Sequence, residues 1–406
     1  MRPLPDRPIL PDSGMPASKI GLFLAVLFLL LLQAPLAKAQ NFDQFLAEVR
    51  QEAMGRGIRP QTLDKALAGL DLDPTVIALT QKQGEFVKPV WDYLNSALGG
   101  GRIDKGKALA TTHAALLARI EHQYGVDRGV LLGIWGMESN FGGFSGDKNV
   151  IRSLASLASV NYRGRFFRDE LLTALTILDK GLAPPEGLRG SWAGAMGQTQ
   201  FMPSSFMAWA VDQDSDGRRN IWTSIPDIMG STAHFLKGHG WVRGLPWGIE
   251  IALPPRYNFK LMQGDFSAFS KAGIKRADGR PLPNHGQARL FFPASARGPV
   301  FLVTANFDVI RQYNASDAYA LAVAHLGERI RGGKPFVAAW PSNDPQLDQD
   351  GRIELQKRLS AKGYDVGEAD GRIGSKTRAA IRQEQIKRNL TPDGWPSPSL
   401  LTLLRE

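Results

Sequence analysis

One segment limits this chain more than any other: Tyr124-Gly-Val-Asp-Arg-Gly-Val-Leu-Leu-Gly-Ile-Trp-Gly-Met-Glu-Ser-Asn-Phe-Gly142. Asp127 supplies an N-cap for a helix running toward Asn140. Leu131, Ile134, Trp135 and Glu138 stand at i, i+3, i+4 and i+7 and so share one face. An apolar stripe therefore ends in a carboxylate. Desolvation there favours the neutral acid and raises its pKa. A carboxylic acid kept protonated near neutral pH suits glycosidic-bond cleavage, in which the leaving oxygen must take up a proton. A glutamate at a helix end, turned simply to water, fits the same spacing.

A second segment, Gly190-Ser-Trp-Ala-Gly-Ala-Met-Gly-Gln-Thr-Gln-Phe-Met-Pro-Ser-Ser-Phe206, is built from small and neutral polar residues. Its glycines and alanines allow close backbone approach. Ser191, Gln198 and Gln200 offer uncharged hydrogen-bonding groups, and Trp192 and Phe201 offer faces on which a sugar could pack. Pro203 starts a following helix. A tight turn packed into a core, with its amides at the surface, is the alternative.

The third segment is acidic, running Asp212-Gln-Asp-Ser-Asp-Gly-Arg-Arg-Asn-Ile-Trp-Thr223. Asp212, Asp214 and Asp216 occupy positions 1, 3 and 5 of an EF-hand-type loop, Gly217 the sharp turn, and Arg218 the position that offers a backbone carbonyl. Position 12 departs from the pattern, with Thr223 in place of an acidic bidentate ligand. The loop is thus expected either to hold a structural calcium or other cation, or to be an Asp-rich turn closed by its own side chains. No cofactor is required by the rest of the sequence. His234 and His239 lack metalloprotease spacing, no phosphate-binding Gly-rich loop is present, and Gly143-Phe-Ser-Gly146 is not a nucleophile elbow.

Taken in order, the helix ending Met-Glu-Ser-Asn-Phe-Gly, the Gly-Ala-Met-Gly-Gln-Thr-Gln-Phe-Met-Pro-Ser-Ser segment and the acidic loop resemble the lytic murein transglycosylase B family. The likeness runs from about Phe42 to Gly332 and is most specific between Glu138 and Trp247. It implies a lysozyme-like helical catalytic domain. It implies cleavage, without water, of the bond between N-acetylmuramic acid and N-acetylglucosamine in peptidoglycan, leaving a 1,6-anhydromuramic end. The family's catalytic acid falls on Glu138, and its substrate-contacting Ser and Gln fall on Ser191 and Gln200. The Arg-Gln-Tyr-Asn stretch puts Tyr313 and Asn314 where the family has active-site residues. Arg163 and Arg165 resemble its contacts to the wall peptide, at looser spacing.

An ordinary glycosidase needs two carboxylates. Here one can serve both proton transfers, so Glu138 needs no obvious second acid nearby. Asp147 is the candidate partner if the enzyme is instead a muramidase that hydrolyses on the same fold. A non-catalytic peptidoglycan-binding protein that keeps the groove is a further alternative, against which stand the intact Glu138 and the Ser191/Gln200 pair.

The N-terminus reads as an export signal. Lys19 precedes the unbroken apolar run Ile20–Leu32, and small residues follow at Ala37 and Ala39, with cleavage expected near Ala39–Gln40. Met15 is an alternative start. The run is short for a membrane span. The chain has no cysteine, so it cannot be a lipoprotein and is expected to be soluble in the periplasm. The net charge of +10 suits an acidic wall polymer, and no nucleic-acid motif or dense Lys/Arg block points elsewhere. Peptidoglycan is the expected partner; nothing in the sequence identifies a cell-wall synthesis or divisome protein.

The expected fold is mainly α (α+β). Helical stretches fall around Phe42–Met54, Leu109–His122, Val130–Ser139, Arg168–Leu178, Ile225–Gly238 and Ala318–Arg331, with strand-like runs Arg289–Phe292 and Val300–Thr304 inside a small Pro-rich insert, Leu245–Phe307. The expected division is a signal over 1–39, a catalytic domain over 40–334, a linker over 335–350 and a terminal module over 351–406. In that module two amphipathic helices flank a Gly/Asp-rich turn, in a pattern that resembles the three-helix peptidoglycan-binding domain. The family's usual aromatic before Gln385 is replaced by Glu384, a departure expected to loosen the module's core.

Overall fold

A computed structural model describes residues 42–82, 89–184 and 187–406. The expected signal, with Ile20–Leu32 and the Ala37/Ala39 site, lies outside these residues. Nine helices come first: α1 Phe42–Gly55, α2 Pro60–Leu67, α3 Pro74–Lys82, α4 Val90–Leu98, α5 Arg102–Thr112, α6 Ala114–Tyr124, α7 Arg128–Ser139, α8 Val150–Ser159 and α9 Phe166–Asp179, with the short pair β1 Lys148–Asn149 and β2 Arg189–Gly190 beside them. Then come α10 Pro203–Trp209 and α11 Ile225–Gly238. The insert follows as β3 Gly248–Ala252, β4 Gln263–Asp265, α12 Phe266–Lys271, β5 Lys275–Arg276, β6 Gln287–Phe291 and β7 Val300–Val303. Last are α13 Ala305–Tyr313, α14 Asp317–Ile330, α15 Gln349–Ala361, α16 Ser375–Lys387 and α17 Pro398–Arg405.

Local rules explain α7. Asp127 Oδ1 accepts from the backbone N–H groups of Gly129 at 2.7 Å and Val130 at 3.3 Å, which satisfies donors left open at the helix start. Asn140 ends the helix in the left-handed region, φ 51°, where its N–H and that of Phe141 close on the carbonyls of Gly136 and Trp135. Nearly the whole helix is buried.

Its packing against α14 depends on two glycines. A Cβ at Gly133 would sit 2.2 Å from the carbonyl oxygen of Val323, and one at Gly327 would sit 2.3 Å from that of Gly129. The two helices therefore meet backbone to backbone and run antiparallel, which sets Glu138 on one beside Tyr319 on the other.

The insert is a five-stranded antiparallel sheet in the order β4-β6-β7-β3-β5. Leu302 faces Ile249 and Leu290 across the ladders, and these close a small core with Phe266 and Phe269. Phe301 and Val303, on the opposite face, join the main helical core with Trp247 and Phe307. Because β7 is buried on both faces, its sequence is apolar throughout and does not alternate.

One expectation about elements needs correction. The stretch around Leu109–His122 is not one helix: the chain breaks at His113, φ −103°, between α5 and α6. Propensity carries no signal for this break. The His113 ring instead meets Trp135 edge-on, at 6.3 Å, so tertiary packing sets the bend. The segment expected as a linker packs on the catalytic domain. Phe336 stacks on His325 at 3.7 Å, Trp340 lies 6.4 Å from Trp91, and Glu250 accepts from the N–H groups of Val337 and Ala338.

The three terminal helices, α15–α17, bury Leu355, Leu359, Ile381, Leu400 and Leu404 together. Glu384 does not loosen this core. Tyr364 donates to it at 2.8 Å and Arg388 at 2.7 Å, so the buried carboxylate is fully paired.

Candidate active site

Glu138 sits at the end of α7 and is partly open to solvent. The protein packed around it pushes its carboxyl pKa from 4.5 to about 7, although Tyr319 donates a hydrogen bond to Oε1 and pulls the other way. Tyr93, on α4, is pushed up to about 12 by burial and then by the Glu138 charge; Tyr313 and Tyr319 rise well above the ordinary range for the same reasons. Three phenols thus surround one carboxylic acid. Among the described residues no other acidic side chain hydrogen-bonds to Glu138 or to those phenols. Such a site holds a proton near neutrality and can release it to an oxygen.

Tyr313 closes one wall. Its hydroxyl donates to the carbonyl oxygen of Thr199 at 2.7 Å, and its ring packs on Phe201 and Phe235. Phe201 is only 2% exposed, so it belongs to the core under Tyr313 and is no sugar platform. Trp192 is half-buried.

The segment between Gly190 and Phe201 folds into a compact turn in which Met196 bridges to both. Ser191 Oγ accepts from the Ala195 N–H at 3.1 Å. Gln200 has a positive φ of 51°, costly for a residue with a Cβ, and is held there by Nε2, which donates to Gly197 O at 2.8 Å and to Ser145 O at 2.9 Å. This second contact ties the turn to the loop that leaves Glu138. Gln198 is a clasp: Trp135 Nε1 donates to its Oε1 at 2.7 Å, and its Nε2 donates to Trp222 O at 2.8 Å.

The structure therefore brings Glu138 and Tyr313 together, with Gln200 joined to them through backbone. Asn314 follows Tyr313 at the helix end, and its Oδ1 accepts from Ser316 N–H at 3.1 Å. Arg163 lies on the turn between α8 and α9 with its guanidinium 5.3 Å from the Tyr162 ring centroid, and Arg165 pairs with Glu52 and Asp169. The contacts described around Glu138 come from other elements. Asp147 is exposed. Sequence reasoning missed Tyr93 and Tyr319, since neither lies within a quoted motif.

In the acidic loop the carboxylate oxygens of Asp212, Asp214 and Asp227 lie within 4.8 Å of one another. Asp227, in the first turn of α11, is fully buried and was not foreseen from the loop pattern. Burial, and then the charges of Asp214 and Asp212, raise its pKa, while N–H groups of Asn220 and Gln213 bond to it at 2.7 Å each. Asp216 instead accepts from the N–H of Arg218 at 2.8 Å.

A lysozyme-like helical domain with a desolvated glutamic acid among tyrosines, followed by a small three-helix module, is the class that fold and site define. The family described as Transglycosylase SLT domain matches residues 41–328, and the peptidoglycan binding domain family matches 348–404. The chain belongs to the transglycosylase SLT family. It is 35% identical over 311 residues to membrane-bound lytic murein transglycosylase B of Escherichia coli (strain K12), covering 72% of this chain and 83% of that protein. The crystal structure of SltB3 from Pseudomonas aeruginosa in complex with NAG-anhNAM-pentapeptide is 45% identical, with a TM-score of 0.84 over 90% of this chain and 100% of that one. The Escherichia coli lytic transglycosylase Slt35 in complex with calcium is 30% identical, with a TM-score of 0.59 over 73% of this chain and 95% of that one.

Proposed function

We propose that this protein is a lytic transglycosylase that cleaves the MurNAc–GlcNAc bond of peptidoglycan with Glu138 as its single acid and base. The observation that carries the reading is the desolvated Glu138, pKa about 7, ringed by tyrosines and without an acidic partner. Glu138 gives its proton to the leaving oxygen of GlcNAc as the bond to muramic C1 breaks. The substrate's N-acetyl group steadies the charge at C1. Glu138, now a carboxylate, takes the proton of the muramic 6-hydroxyl as that oxygen bonds to C1, so the proton returns and no water is consumed. Family membership supports this, as does the anhydro-sugar ligand of the SltB3 complex. The groove residues Ser191, Gln200, Tyr313 and Asn314 would orient the sugars, and Arg163 the peptide. Digestion of purified wall should yield 1,6-anhydromuramic ends; new reducing ends would instead require an activated water, and so a hydrolase.

The acidic loop we read as a structural calcium site. Asp212, Asp214 and Asp227 give the hard oxygen donors that calcium takes. Asp227 supplies, from the next helix, the acidic ligand that Thr223 does not. The calcium complex of Slt35 supports this reading. The ion would pin α11 to the loop and has no part in the reaction.

Export to the periplasm rests on the N-terminal pattern. Among the described residues no helix is long and apolar enough to cross a membrane. A mature N-terminus near Gln40, read by mass spectrometry, would bear this out.

A further inference from the structure

The terminal module does not hang free from the catalytic domain. Trp395 lies 6.4 Å from Trp91, and Asp393 Oδ2 accepts from the N–H of Ala296 at 3.0 Å. Along this seam four guanidiniums, those of Arg289, Arg311, Arg378 and Arg382, meet three carboxylates, those of Asp308, Asp317 and Asp393. The pairing is uneven. Asp308 takes Arg289 at 2.7 Å and Arg311 at 3.4 Å, and Asp317 takes Arg311 at 2.8 Å. Asp393 is occupied by N–H donors of Gln385, Trp395 and Ala296.

Arg378 and Arg382 are left over. They stand one turn apart on α16, a spacing at which like charges repel. Both are half-buried, and among the described residues neither side chain has a hydrogen-bond or ion-pair partner; Arg378 Nη1 is fully buried without one. Burial lowers the basicity of both, and for Arg382 the charges of Arg378 and Arg289 lower it further. The Arg378 guanidinium lies 5.8 Å from the Trp395 ring centroid, a contact that offsets only part of the cost of leaving it desolvated without an anion. A site with this excess of planar donors matches an incoming carboxylate, which Arg binds in a two-pronged geometry.

One side of the seam belongs to the elements that carry site residues. Arg311 and Asp317 flank the short loop that holds Asn314, and Tyr319, two residues beyond Asp317, bonds to Glu138. The sugars of the proposed substrate are uncharged in their rings, whereas the peptide stems on muramic acid carry free carboxylates. We infer that the seam between the catalytic domain and the terminal module, where Arg382 and its neighbour Arg378 meet Arg289 and Asp317, binds a carboxylate of the substrate's peptide stem. This rests on the proposed action on peptidoglycan. It makes the module part of substrate selection.

The test compares kcat/KM on peptide-bearing fragments with that on the same glycan stripped of peptide. Wild-type enzyme should prefer the former. In Arg382→Gln, and more so in the Arg378→Gln, Arg382→Gln double variant, the preference should shrink by about 10–100-fold through KM, as expected for lost bonds to a charged group. An arm without variants uses free stem peptide as a competitor of the wild-type enzyme: the peptide should inhibit, and the same peptide with its carboxylates amidated should not. Equal falls on both substrates, an unchanged preference, or equal inhibition by both peptides would overturn the subsite. A wild type that cuts both fragments equally well would overturn it too and leave the function standing. Failure to form anhydro ends from either fragment would overturn the function itself.

Discussion

Tyr319 donates its phenolic hydrogen to Oε1 of Glu138 across 181 residues of sequence. The bond favours the carboxylate form, whereas burial favours the acid, and the outcome is a pKa of about 7. In Tyr319→Phe burial acts alone, so the pKa must rise. The enzyme needs Glu138 protonated at the start of the reaction, and its activity falls as pH passes that pKa. The alkaline limb of kcat/KM should therefore move up by about one pH unit, with kcat lowered by about tenfold through lost positioning. An unmoved limb would show that Tyr319 only packs beside the acid.

Glu138→Gln should abolish nearly all turnover, by 10²–10⁴-fold or more on the usual scale of about that size for acid–base catalysis, while wall binding persists. It should also stabilise the fold. The folded pKa of Glu138 is raised from 4.5 to about 7. Its favourable contribution is complete below about pH 4.5 and is lost as pH rises to about 7. At pH 8 the Gln variant should be more stable than wild type by on the order of 2 kcal/mol, allowing for partial solvent access, with the difference gone at pH 4. Melting curves at the two pH values measure it.

Gly133→Ala should disturb both stability and catalysis. The added methyl would meet the Val323 carbonyl at 2.2 Å, and backbone cannot rotate aside. Overpacking of this kind costs about 1–3 kcal/mol. Forcing α7 and α14 apart also lengthens the Tyr319–Glu138 contact, so the surviving folded enzyme should show a reduced kcat. A variant with full activity and an unchanged melting temperature would contradict the close approach.

Calcium should raise the melting temperature, since an ion that binds only the folded state stabilises it by about 2.7 kcal/mol at a hundred times its Kd. Asp214→Ala should remove that gain. Asp214 is the exposed member of the trio, so the variant's own fold should survive. Chelation should lower the melting temperature of the wild type and leave that of Asp214→Ala in place.

Much of the fold was legible because it follows short-range rules. The cap at Asp127, the apolar stripe through Leu131, Ile134 and Trp135, and the strands around Arg289–Phe292 and Val300–Thr304 depend on residues within a few positions of one another. So did the desolvation of Glu138, predicted from its place at the end of an apolar face. The bend at His113 and the docked segment around Phe336 were not legible, since each is set by a distant partner.

The sequence by itself determined which residue types were available: one acid on an apolar helix, a turn of small residues and amides, an acidic loop and a terminal helical module. Tertiary structure alone decided which of them meet. Tyr319 reaches Glu138 because glycines let two helices approach backbone to backbone. Asp227 completes the acidic trio because its helix starts against the loop. Among the described residues Arg378 and Arg382 find no carboxylate partner, because Arg289 and Arg311 already hold Asp308 and Asp317 and N–H donors hold Asp393. Periodicity and capping act over a turn or two of chain, whereas these pairings depend on how whole elements approach in space.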